Sequence, residues 1–343
     1  MLPDLLSDPF GERSPTLARK PLQLLGARFR FDSNSPELLR LVDSAYAGLP
    51  RHWLSAEAPE LRVKLVLTSS PQAYESVGGQ HLLHRSRPPP LAMLNGAGLL
   101  GGATVSSNVV VLSPREGAAL VVVSPQMLRF PYHTRYELIE FAVFTLAARA
   151  QGLVPLHAAC VGLGGRGVLL MGPSGAGKST VALHWLLNGL DFLSEDGVFV
   201  APDTMLATGV ANFLHVRADS LSWLGRSREA AAIRKSPVIR RRSGVRKFEV
   251  DLRRGRFQLA ESPLKIVGVV FLSSQKAGAR PLLKPLSKSD LRTNLALEQA
   301  YGASQPQWRT FNRNVSRLAA FELRRGRHPL EAVEALRSLL AKP

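Results

Sequence analysis

The sequence predicts an α/β protein, and two observations carry that expectation. Arg166–Val200 reads as a short buried strand, a glycine-rich turn, a helix and a second strand, which is the order of a nucleotide-binding α/β unit. On either side, short apolar runs of strand length alternate with stripes at helical spacing, so sheet and helix are interleaved along the chain.

The central segment supports this element by element. Val168–Met171 is a four-residue apolar run suited to a buried strand. Gly172-Pro173-Ser174-Gly175-Ala176-Gly177-Lys178-Ser179-Thr180 is a full match to the Walker A pattern G-x-x-x-x-G-K-[ST]. A backbone wrapped around a polyphosphate must turn its N–H groups inward, which glycine permits without a Cβ clash. The helix that follows, read over Thr180–Asn188 with Gly189 at its stop, adds positive partial charge at its N-terminus. By this logic Gly172–Thr180 bind the phosphates of ATP, Lys178 reaches the β- and γ-phosphates, and the Ser179 hydroxyl holds Mg²⁺.

Leu190–Leu193 reads as the next strand and ends in Ser194-Glu195-Asp196-Gly197, before a further strand at Val198–Val200. Two adjacent carboxylates at a strand end, 17 and 18 residues beyond Lys178, are placed to face a phosphate-bound metal. One can hold the metal while the other accepts the proton of an attacking hydroxyl, and the sequence leaves open which does which. Upstream, Leu156-His157-Ala158-Ala159-Cys160-Val161 and a Gly164-Gly165 turn read as a hairpin with His157 on its first strand.

Together, the LHAACV strand, the hairpin, GPSGAGKST, the helix and LSED resemble the catalytic domain of the HPr serine kinase/phosphorylase family, and more closely its smaller HPr kinase-related members. The resemblance implies a P-loop kinase domain of the HPr kinase and phosphoenolpyruvate carboxykinase type. It also implies that His157, Lys178, Glu195 and Asp196 are catalytic, and that Ser179, Glu195 and Asp196 lie at the metal. The expected acceptor is then a serine of a protein or peptide. Glu195 stands where the family commonly has Asp. The further E-[IV]-R-G-[LIVM]-G signature of the bifunctional members has only a stretched counterpart, Glu249–Gly255, so phosphorylase activity is not implied. The resemblance covers Leu153–Val200.

The chain before it is read as an α/β N-terminal region over residues 1–150. Residues 21–32 read as a strand, Ser35-Pro36 caps a helix carrying Leu38, Leu41, Val42 and Ala45, and Leu61–Leu67 is another strand. Pro71–Gly102 reads as a long loop, Val109–Leu112 and Ala118–Val123 as a strand pair, and Thr134-x-x-Glu137 as a capping box opening a helix to Ala150. This region carries no chemical motif. It is open to substrate recognition, to homo-oligomer formation or to extending the sheet.

The catalytic domain is read over 151–343. Residues 226–256 hold twelve Lys or Arg against three acids, and the whole chain carries +18. A solvated mobile loop, a clamp for ATP phosphates or an acidic partner, and a nucleic-acid surface are the options; the few aromatics disfavour the last. Arg246 and Lys247, just before a strand at Phe248–Leu252, are the candidates to reach the site. Leu264–Leu272 reads as a central strand. Ser287–Gln299 and Pro329–Leu340 read as helices, the latter with Leu330, Val333, Leu336 and Leu340 on its apolar face.

No apolar run is long enough for a membrane span, and the first twenty residues lack the apolar core of a secretory signal. The single cysteine, Cys160, excludes an internal disulfide and fits a cytoplasmic protein. The sequence therefore leads to an ATP- and Mg²⁺-dependent serine kinase, with a small-molecule kinase and a nucleotide-regulated binding protein as alternatives.

Overall fold

The computed structural model describes residues 17–68, 92–104, 108–255 and 257–341. The chain forms two compact units: among the described residues the smaller takes in 17–22, Ala27–Ala47 and 59–146, and the larger Gln23–Gly26, Gly48–Ala58 and the chain from Ala147 onward.

The smaller unit is built on a seven-stranded sheet. Its strands are β1 (Ala18–Leu24), β2 (Ala27–Ser33), β3 (Glu60–Leu67), β4 (Ala92–Gly96), β5 (Leu99–Thr104), β6 (Asn108–Ser113) and β7 (Ala118–Val123), in the order β1-β2-β3-β7-β6-β5-β4. Helix α1 (Pro36–Tyr46) crosses between the parallel strands β2 and β3, capped by the Ser35 hydroxyl, which accepts from Leu38 N–H at 3.3 Å. Alternation sets the core face: Phe29 and Phe31 of β2 and Leu61, Val63 and Leu65 of β3 are buried. Three expectations change here. Residues 21–32 are two strands broken at Leu25-Gly26, both at positive φ, and not one. Within the expected loop, residues 92–104 form the β4–β5 hairpin, while 69–91 lie outside the described residues. Thr134 is not an N-cap. Pro131 starts the helix earlier, as α2 (Pro131–His133) running through a π-helical stretch Thr134–Ile139 into α3 (Glu140–Ala150). The Thr134 hydroxyl instead donates back to Met127 O and Phe130 O.

In the larger unit, strands β8 (Val154–His157), β9 (Ala159–Leu163), β10 (Arg166–Met171), β11 (Asp191–Ser194), β12 (Gly197–Ala201) and β13 (Leu206–Gly209) belong to a nine-stranded sheet. A separate three-stranded sheet holds β14 (Phe213–Val216), β15 (Val238–Arg240) and β16 (Arg246–Asp251). The strands β17 (Leu264–Lys276), β18 (Leu283–Pro285) and β19 (Ala319–Arg325) complete the large sheet, whose path runs β11-β9-β10-β17-β13-β12-β8 with β19 and β18 branching from β17. β17 is central as expected, parallel to both β10 and β19.

Helices cover both faces of this sheet, which is why its strands read as continuous apolar runs. Val168 and Leu170 point to one side, with Val181 and Trp185 of α4 (Lys178–Leu187) and Val333 and Leu336 of α9 (Pro329–Ala341). Leu169 and Met171 point to the other, with Leu291 and Leu295 of α6 (Lys288–Glu298) and, beyond the short α7 (Ala300–Ala303), Phe311 and Val315 of α8 (Trp308–Val315).

Further readings are corrected in this unit. The β9–β10 hairpin with its Gly164-Gly165 turn is present, but His157 is not on it: β8 ends at His157 and pairs with β12. The basic stretch is not a loop, since it contains α5 (Arg228–Arg234), β15 and β16. Arg246 and Lys247 lie within β16. On α9, Leu330 is exposed and Ala332 takes its place in the core.

Candidate functional site

The glycine-rich loop Gly172–Gly177 leaves the C-terminal end of β10, where α/β sheets place their ligand crevices. Gly172, Gly175 and Gly177 are all at positive φ (137°, 87° and 107°). At Gly172 a Cβ would also stand 2.9 Å from the backbone oxygen of Leu272 in β17, so neither conformation nor space admits a side chain. α4 begins at Lys178 and ends at Leu187 before Gly189, at φ 65°.

Lys178 is buried, and its Nζ donates to Gly172 O at 2.5 Å, folding the side chain back over the loop. Burial lowers its pKa, against the opposing pull of Asp196, Glu298 and Glu195.

The two acids sit in the turn between β11 and β12 but occupy different surroundings. Glu195 is buried. Its Oε1 accepts from Ser179 Oγ at 2.5 Å, and its Oε2 accepts from the His215 backbone N–H at 2.8 Å and from His215 Nδ1 at 3.1 Å. Burial alone would raise its pKa, but the bond to His215, that residue's charge, Lys247 and Ser179 outweigh burial and hold it at about 2. On its other side, His215 Nε2 lies 3.4 Å from Glu249 Oε1, and the two carboxylates raise the imidazole's pKa despite its burial.

Asp196 faces the other way. Its carboxylate is about half exposed, with Oδ1 3.1 Å from His157 Nδ1 and Oδ2 accepting from an Arg241 nitrogen at 3.4 Å. The β8–β12 pairing explains the first contact, because His157 lies opposite Gly197, directly after Asp196. The buried side chain of Gln299 fixes His157 from behind. It accepts from His157 N–H at 2.8 Å and donates to His157 O at 3.0 Å, completing the backbone bonds that end β8.

A cleft of about 640 Å³ gathers these groups. His157, Pro173–Thr180, Glu195 and Asp196 all line it, so these sequence-derived site residues, Gly172 excepted, border one space. Lys247 lines it and Arg246 does not; Arg241 and Arg217 join from the basic stretch and from the end of β14.

Sequence reasoning missed His215, Glu249, Gln299 and Arg241. His215 stands in a buried four-residue strand and Gln299 at a helix end, and neither position carries a local pattern that marks chemistry.

The donors suit the expected ligands. Ser179 Oγ and the Glu195 carboxylate are adjacent oxygen donors of the kind Mg²⁺ prefers. Among the described residues no cluster of three His, Cys, Asp or Glu could hold a metal by itself.

Neither a family profile nor a curated protein matches the chain. Among solved structures, the Hpr(Ser) kinase/phosphatase from Coxiella burnetii aligns with 54% of this chain and 89% of its own, at 12% identity and a TM-score of 0.28. A likeness at that TM-score carries no weight for function, and what the chain offers is the chemistry of its own cleft.

Proposed function

We propose that the larger unit is an ATP- and Mg²⁺-dependent kinase that transfers the γ-phosphoryl group to a hydroxyl, and that this hydroxyl is a serine of a protein or peptide. One observation carries the reading: a glycine cradle with its lysine, a Ser179–Glu195 oxygen pair and a half-exposed Asp196–His157 pair line the same cleft. The sequence resemblance supports the choice of a serine acceptor.

The surroundings divide the labour of the two acids. Glu195, buried and held at about 2, stays ionised and is the metal-side group with Ser179. Bound Mg²⁺ would neutralise charge on the β- and γ-phosphates. Lys178 and backbone N–H groups within Ser174–Thr180 hold the phosphates. Asp196, open to the cleft, takes the acceptor's O–H proton as the oxygen bonds to the γ-phosphorus and the bridging bond to ADP breaks. His157 orients the Asp196 carboxylate, and Arg241 and Lys247 bring positive charge to the transferring group.

The test is transfer from γ-labelled ATP with Mg²⁺ to a library of serine peptides, with a metabolite panel beside it. We expect labelled peptide from the wild type and a loss of about a hundredfold or more in Lys178→Ala. Labelled metabolites with unlabelled peptides would move the acceptor to the small-molecule class. ATP binding without any transfer would leave a nucleotide-regulated binding protein.

A further inference from the structure

The cleft extends beyond the phosphate and acid groups. Trp223, His328, Pro329 and Ala332 also line it, and none of them has a role in phosphoryl transfer. Two contacts place this aromatic part beside the loop helix. The Thr180 and Ser220 hydroxyls are 3.0 Å apart, which ties the start of α4 to the 3₁₀ turn Asp219–Leu224 that carries Trp223. One helical turn along α4, the buried His184 ring meets His328 edge-on, with centroids 5.3 Å apart.

Trp223 and His328 form a corner, with rings at 88° and centroids 5.4 Å apart. Both nitrogens of His328 are engaged: Nδ1 accepts from Leu330 N–H at 3.2 Å, and Nε2 lies 3.4 Å from Trp223 O. The imidazole is therefore held in place, and a half-buried indole stands against it facing the cleft. A fixed aromatic corner of this kind suits a flat ring that stacks on one member and meets the other with its edge.

Position selects which ring. Lys178, Ser179 and Glu195 mark the β- and γ-phosphate end of a bound triphosphate. The corner is reached across the next residue, Thr180, about 100° further round α4. A nucleoside attached at the α-phosphate needs a platform away from the acids, and the cleft volume falls within the range of small-molecule sites.

We propose that Trp223 and His328 form the nucleobase subsite, holding the purine of the nucleotide by stacking on the Trp223 indole. This rests on the nucleotide reading of the same cleft. It adds that affinity comes from the base as well as from the phosphates.

Calorimetric titration of the full chain with Mg²⁺ and either ATP or inorganic tripolyphosphate separates the two claims. The wild type should bind both. Trp223→Ala should bind ATP about tenfold more weakly or worse, keep its tripolyphosphate affinity, and recover ATP affinity in Trp223→Phe. Unchanged ATP affinity in Trp223→Ala would overturn the base subsite and leave the phosphate site standing. Equal loss of both ligands in a folded variant would overturn the stacking role as well. A wild type that binds neither would remove this inference and the kinase reading together.

Discussion

At the scale of single residues, two neighbouring carboxylates are set apart by their surroundings. Glu195 is enclosed by Ser179, His215 and the β11–β12 turn, while Asp196 meets the cleft between His157 and Arg241. The sequence shows two acids and cannot rank them, because the groups that do so arrive from positions as far off as 157, 215 and 241. His215 is the residue to test. It stands between two buried carboxylates, so His215→Leu removes the imidazole that bonds both and should cost about 3–5 kcal/mol in denaturant unfolding. The pH profile has a definite sign. The lowered pKa of Glu195 gives stability present above its ordinary 4.5 and lost as pH falls toward about 2. The raised pKa of His215 gives stability present below its ordinary 6.5 and lost as pH rises through the folded value. The wild type should thus lose stability on both sides of that interval, and His215→Leu should lack the alkaline fall. A variant as stable as wild type with the same profile would show that the imidazole carries no charge there.

At the scale of elements, the acidic turn is held by close backbone approach. Gly209 of β13 lies under it, and a Cβ there would stand 2.6 Å from Ser194 Cβ, 3.0 Å from Leu193 O and 3.3 Å from Gly197 O. Gly209→Ala should push the Ser194–Gly197 turn, and with it Glu195 and Asp196, away from the loop. We expect a destabilisation of about 1–3 kcal/mol from overpacking. Transfer should fall by about a hundredfold, the scale of an ångström's misplacement. Wild-type transfer rates would mean that the turn yields without moving the acids. Elements of this kind differ in how far the sequence reveals them. The glycine-rich loop, α4 and its Gly189 stop are legible because glycine chemistry and helical spacing are local. The helix over 131–150 begins earlier than its capping pattern suggests, since the Thr134 hydroxyl finds carbonyls behind it and Pro131 supplies the start. The sequence reading sets His157 on the hairpin because an apolar run does not show where one strand ends and the next begins. Its partner strand β12 is 40 residues downstream.

At the scale of the whole molecule, the larger unit draws one cleft from residues between His157 and Ala332. Pairings across such separations leave no periodic trace, so the sequence reveals the loop and its acids but not the Trp223–His328 corner or the Gln299 clamp. The charge of +18 is legible and its use is not. Part of the basic stretch is folded into β15 and β16, which bring Arg241 and Lys247 to the cleft, while much of the rest stays on the surface. No helix among the described residues is long and apolar enough to cross a membrane. The central claim is that this cleft moves a phosphoryl group with Asp196 receiving the acceptor's proton. The most direct measurement is the transfer rate of Asp196→Asn at saturating Mg²⁺ and ATP, alongside wild type. The account predicts a fall of about a hundredfold or more with nucleotide still bound, and a transfer rate equal to wild type would contradict it.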